Sequence, residues 1–142
     1  MTISIGSDHA GFGLKQDVIK HLQTKNIKVL DKGCYNEERA DYPDHGHAVA
    51  NAVINKECDL GIVICGSGNG INMSVNKHKG IRGALCWNSE VAALSRQHND
   101  ANIMALPARF ITKEEAFACV DAFMSAKFEG GRHLGRVEKI EI

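Results

Sequence analysis

Cys65 ends the apolar run Leu60-Gly61-Ile62-Val63-Ile64 and heads the loop Gly66-Ser67-Gly68-Asn69-Gly70, with a helix-compatible stretch from Ile71 onward. A thiol in that position sits among backbone N–H groups that have no carbonyl partner of their own. Those groups and the positive end of the helix dipole favour negative charge, either a bound anion or the thiolate itself. The chemistry that suits such a thiol passes through an anion, with Cys65 as general base or nucleophile. The loop alone is a weak signal. Its spacing is neither the dinucleotide GxGxxG nor a Walker loop, which needs a lysine absent here, and the same glycines would serve a plain strand-to-helix turn.

Four other polar groups invite the same question. Asp8-His9 follows the apolar start of the chain, Trp87-Asn88 and Pro107-Ala108-Arg109 follow later strand-like runs, and Arg96-Gln97-His98-Asn99-Asp100 closes a helical stretch. Asp8-His9 would also serve as a helix N-cap pair, and His98 as a surface imidazole at the negative end of a helix dipole. Arg132 and Arg136 are four apart. On a helical turn their guanidinium groups face one way and could fork onto one phosphate, although tail arginines are commonly just solvated.

The elements that must hold these residues follow an alternating pattern of short apolar runs and amphipathic stretches, which predicts an α/β fold. Strands are expected at 3–7, 27–31, 60–65, 82–86 and 102–106, and helices near 12–24, 45–55, 71–76, 89–99 and 112–126. Leu14, Val18, Ile19 and Leu22 recur at helical spacing and should face the sheet. Thr112 and Glu115 have the spacing of a capping box. Segment 32–44 shows no period and ends at Tyr42-Pro43, where the proline should push Tyr42 out of helical geometry. The tail from Glu129 to Ile142 looks too polar for the core and suited to docking on another surface. In a doubly wound sheet the ligand crevice lies beyond the carboxyl ends of the strands, which is where most of the polar groups above fall.

With 142 residues and a net charge of zero, the chain has the size of one domain and no basic footprint for nucleic acid or a membrane surface. A small-molecule partner is expected. No signal-peptide pattern or bilayer-length apolar run occurs, so the expected location is the cytoplasm. The five cysteines, Cys34, Cys58, Cys65, Cys86 and Cys119, lack any CxxC or Cys/His ligand pattern, so neither a disulfide framework nor a zinc site is indicated.

Taken together, Ser7-Asp8-His9-Ala10-Gly11, Asp41-Tyr42-Pro43-Asp44, Ile64 through Gly70, Ser95 through Asp100 and Glu129-Gly130-Gly131-Arg132-His133 resemble the ribose-5-phosphate isomerase B family, within the ribose/galactose isomerases. The resemblance implies a three-layer α/β/α Rossmann-like sandwich with a five-stranded parallel sheet. It also implies interconversion of ribose 5-phosphate and ribulose 5-phosphate, a pentose phosphate pathway reaction, with no metal or organic cofactor. Cys65 then corresponds to the base that moves the proton between sugar carbons, and His98 to the group that helps open the furanose ring. Asp8 and Asn99 correspond to sugar-hydroxyl contacts, and His9, Arg109, Arg132 and Arg136 to phosphate contacts. The N–H groups of Gly66, Ser67, Gly68, Asn69 and Gly70 correspond to a cradle for the enediolate oxygen, and Tyr42 to a pocket wall. The family forms homodimers or tetramers with sites shared between subunits, so the basic tail is expected to serve a neighbour. Ser67 stands where many members carry threonine. A six-carbon sugar phosphate as substrate, or a binding module without chemistry, are the competing expectations.

Overall fold

The computed structural model describes all 142 residues. Strands β1 (Thr2–Ser7), β2 (Lys28–Asp31), β3 (Leu60–Cys65), β4 (Gly83–Leu85) and β5 (Ile103–Pro107) alternate with helices α1 (Phe12–Thr24), α2 (Tyr42–Ile54), α3 (Asn69–Val75), α4 (Ser89–Asn99) and α5 (Lys113–Ser125), and a short α6 (Arg132–Glu138) follows. The strands form one parallel sheet in the order β2-β1-β3-β5-β4. This is the expected α/β/α sandwich. No helix is long and apolar enough to cross a membrane.

Side-chain alternation along β3 divides the core. Leu60, Ile62 and Ile64 join Val18, Leu22, Val120 and Phe123 on the face covered by α1 and α5. Val63 and Cys65 join Val49, Ala50, Ile71 and Val75 on the face covered by α2 and α3. Strand β5 repeats the division, with Met104 and Leu106 on one side and Ile103 and Ala105 on the other. Ile62, Val63 and Ile64 are fully buried, each contributing about 1.5–3 kcal/mol of apolar burial. The period of two that fixes these contacts also turns Cys65 towards the α3 layer.

Three features depart from expectation. Helix α2 begins at Tyr42, not three residues later, and Pro43 lies in its first turn. A proline there loses no helical hydrogen bond, because the first N–H groups have no partner anyway. Glu115 does not complete the capping box: Thr112 Oγ1 accepts from its N–H at 3.1 Å, but its own carboxylate accepts from Ser89 N–H at 3.0 Å. It ties the start of α5 to the start of α4. The tail folds as α6 against α4, with His133 and Val137 buried.

Candidate active site

The order β2-β1-β3 means that the chain leaves β1 to one side and later fills the other, so a crevice opens between the carboxyl ends of β1 and β3. Ser7 pairs with Ile64, and Asp8 N–H donates to Ile64 O at 3.2 Å, which sets Asp8 beside Cys65. A cavity of about 350 Å³ lies there, lined among others by Asp8, His9, Tyr42, Cys65, Ser67 and Arg109. That volume is at the small end of ligand-sized clefts and suits a single sugar better than a dinucleotide.

Each lining group is held by the backbone around it. Asp8 is buried, and its Oδ1 accepts the Gly11 N–H at 3.0 Å. The capping role is therefore present, and Oδ2 remains without a protein partner. His9 Nδ1 is held against the Ala40 backbone, 3.1 Å from its N and 3.2 Å from its O. The glycine loop turns at Gly68, with φ of 75°. The N–H groups of Gly66, Ser67 and Gly68 donate to no protein acceptor, whereas that of Asn69 is taken by Ser67 Oγ at 3.3 Å. Gly66 underlies Arg109: a Cβ on it would meet Arg109 Nη1 at 3.1 Å. Arg109 N–H also donates to Gly66 O at 3.0 Å.

Cys65 is the only cysteine lining this cavity. Burial pushes the Cys86 thiol up to about 11 and that of Cys119 to about 12, and raises Cys58 as well. These three are interior packing groups. Asn88, which the sequence left among candidates for chemistry, caps α4 by accepting the Val91 N–H at 2.9 Å.

The remaining predicted residues lie elsewhere in the chain. Helix α4 runs back from the carboxyl edge, so His98 and Asn99 on its last turn fall near the amino end of β5. The five-residue strand between the two edges spans about 16 Å, at about 3.3 Å per residue. Arg132 and Arg136 stand exposed on α6 and make no ion pair. His98 stacks on His133, with ring centroids 4.2 Å apart and planes 14° from parallel. Within one chain, then, the residues form two groups: the Cys65 cavity, and the His98, Asn99, Arg132 and Arg136 surface. Gly68 and Asn69 shape the loop without lining the cavity. Ala10 and Phe110 line it and were not anticipated. The signal for Phe110 was its place directly after Arg109 in the same strand-end turn.

Residues 3–140 match the ribose/galactose isomerase family. The chain belongs to the ribose/galactose isomerase family. It is 47% identical over 138 residues to ribose-5-phosphate isomerase B of Escherichia coli, covering 97% of this chain and 93% of that protein. Ribose-5-phosphate isomerase B of Clostridium thermocellum superposes with a TM-score of 0.97 at 50% identity, over 99% of this chain and 95% of the other. The Mycoplasma genitalium enzyme, solved with bound ribulose 5-phosphate, gives 0.92 at 47% identity over 98% and 93%. Membership makes the chain an aldose–ketose isomerase and bears out the resemblance drawn from its motifs. The matched span, residues 3–140, contains both groups of residues, the Cys65 loop and the α4–α6 surface.

Proposed function

We propose that the chain interconverts ribose 5-phosphate and ribulose 5-phosphate through an enediolate, in a homodimer whose sites each combine the Cys65 cavity of one subunit with the His98 surface of the other. The observation that carries this reading is the Cys65 thiol at a sugar-sized cavity lined by Gly66 and Ser67, whose N–H groups have no protein acceptor. The names of the relatives point to the same substrate.

Removing a proton beside a carbonyl is hard because charge builds on oxygen. Donors already aimed at that oxygen lower the barrier by about 2.7–4 kcal/mol each, since they need no reorganisation when the charge appears. The N–H groups of Gly66, Ser67 and Gly68 take this role. His98 transfers protons between the ring oxygen and the anomeric hydroxyl and releases the open-chain aldehyde. Cys65 then removes the C2 proton and returns it to C1, while the hydroxyl proton of O2 passes to O1 through the enediolate. Asp8 and Asn99 hold hydroxyl groups, Tyr42 walls the pocket, and His9, Arg109, Arg132 and Arg136 bind the phosphate.

The division of the residues between opposite edges of the sheet, and the two unpaired arginines on α6, support a site shared by two copies. The test is isomerisation of ribose 5-phosphate in the presence of EDTA, compared with galactose 6-phosphate and allose 6-phosphate. Faster turnover of either hexose rejects the pentose assignment. Cys65→Ala and His98→Asn chains should each be inactive alone. Mixed and allowed to exchange subunits, they should recover about a quarter of the wild-type activity, because half the dimers are mixed and each holds one intact site. No recovery after proven exchange rejects the shared site.

A further inference from the structure

We propose that His98, Glu129 and His133 form a binding site for a divalent transition-metal ion of the zinc type, and that the ion, by taking the His98 imidazole, holds the enzyme inactive. The second half rests on the ring-opening role proposed for His98. The first half stands on geometry alone.

Glu129 Oε1 lies 3.7 Å from His98 Nε2 and 3.5 Å from His133 Nε2, and all three donor atoms fall within 4.8 Å of one another. These separations are too long for good hydrogen bonds, which run about 2.7–3.2 Å, and Glu129 is the one polar side-chain partner of either imidazole. They approach what a shared cation requires: two donors each about 2.0–2.1 Å from a tetrahedral zinc ion stand about 3.4 Å apart. The rings are stacked 14° from parallel, so their lone pairs lie in nearly parallel planes, and His98 must turn out of the stack before both nitrogens can reach one ion. The His98 side chain is 38% exposed and free to make that rotation, whereas His133 at 8% is a fixed template.

The backbone assembles the cluster from the end of α4 and the later stretch Glu129 to His133. Glu129 N–H donates to Gln97 O at 3.0 Å, anchoring the loop one residue before His98. Gly130 at φ 64° and Gly131 at φ 54°, ψ −128° then reverse the chain, conformations that side chains make costly. His133 N–H donates to Gly130 O at 3.0 Å, which starts α6 with the imidazole turned onto His98. Sequence spacing shows only part of this arrangement: Glu129 and His133 are four residues apart, and His98 joins them from a distant segment.

Two imidazoles and one carboxylate select zinc, cobalt, nickel or copper over magnesium or calcium, which prefer oxygen donors. Three protein ligands leave a fourth position open on the exposed side of His98. Arg132 and Arg136 repel a dication, and the Glu129 carboxylate offsets only part of that charge. The ion is therefore exchangeable, as a reversible inhibitor must be. The mechanism proposed above uses no such ion.

The test uses the full-length, metal-stripped protein. Zn²⁺ is titrated by calorimetry, and Co²⁺ is added so that its visible spectrum reports the ligands. One ion per chain should bind, Glu129→Gln and His133→Gln should each weaken it at least about tenfold, and Cys65→Ser and His78→Gln should leave it unchanged. Saturating Zn²⁺ should stop turnover of ribose 5-phosphate, EDTA should restore it, and Glu129→Gln should shift inhibition and binding by the same factor. Absence of binding, indifference to Glu129→Gln, loss in Cys65→Ser or His78→Gln, or a sulfur-to-cobalt charge-transfer band overturns the site. Stoichiometric binding that leaves turnover intact overturns the inhibition alone. Binding as expected in a protein without isomerase activity in EDTA rejects the proposed function and leaves the metal site standing.

Discussion

The ring of Tyr42 fills the space that a side chain on Gly70 would need: a Cβ there would lie 2.6 Å from Cζ and 2.8 Å from Cε2. The first turn of α2 thereby closes the cavity wall against the first turn of α3. Alanine is the better helix former by about 1 kcal/mol, and Tyr42 is 40% exposed and can swing outward. Gly70→Ala should therefore keep its thermal midpoint while kcat/KM falls about 10- to 100-fold, the scale of a misplaced active-site group. Adding Tyr42→Ala to Gly70→Ala should cost little more. A lowered melting temperature with unchanged turnover would contradict this account of Gly70.

Iodoacetamide should modify Cys65 first, and ribose 5-phosphate should protect it. Alkylation needs a thiolate and access; Cys86 and Cys119 are fully buried, with thiols held near 11 and 12 by burial. Peptide mapping after partial reaction, with residual activity measured in parallel, gives the order of modification. Full activity in a protein alkylated at Cys65 would remove the thiol from the mechanism.

Those two sites show what the sequence could and could not disclose. Strand β3 was legible because it is apolar on both faces, and the cavity group followed from the rule that ligands sit beyond the carboxyl ends of parallel strands. The start of α2 is hidden in the sequence because Pro43 reads as a barrier, although the first turn tolerates it. Helix α6 was hidden by Gly130, Gly131 and Gly135 and by a buried stripe of only two residues, His133 and Val137. That His98 falls at the edge opposite Cys65 was within reach, since any helix leading into a parallel strand must end at the amino edge. Lys15 was not legible at all. A lysine within an apolar stripe looks solvent-facing, and only the fold reveals its partners.

Lys15 is fully buried on α1, paired with Asp31 and donating to Cys34 O at 2.6 Å, with the rings of Phe12 and Tyr35 at 5.6 and 5.5 Å. It pins the start of the loop that later carries Ala40, the partner of His9. Asp31→Ala strands a buried cation and should cost about 3 kcal/mol, the lower end for a broken buried pair because Cys34 O remains. Lys15→Met should cost less, and the double variant should be more stable than Asp31→Ala alone. Urea denaturation of the four proteins measures this; additive losses would show that the two charges do not depend on each other.

His47 Nδ1 and His78 Nε2 are 2.7 Å apart, a distance at which one ring donates and the other accepts. A second proton would set two cations face to face. Burial first, and His47 second, hold the pKa of His78 below its ordinary 6.5. The unfolded chain therefore binds more protons than the folded one as pH falls through that value, so the stability from the neutral pair is present above about 6.5 and lost below it. His133, lowered chiefly by burial and then by His98, acts in the same direction. Thermal midpoints measured from pH 8 to pH 5 should decline on the acid side. His78→Gln, which can still hydrogen-bond to His47 but cannot titrate, should flatten that decline without abolishing it, because His133 remains. An identical slope in the variant would mean that the pair does not couple protonation to folding.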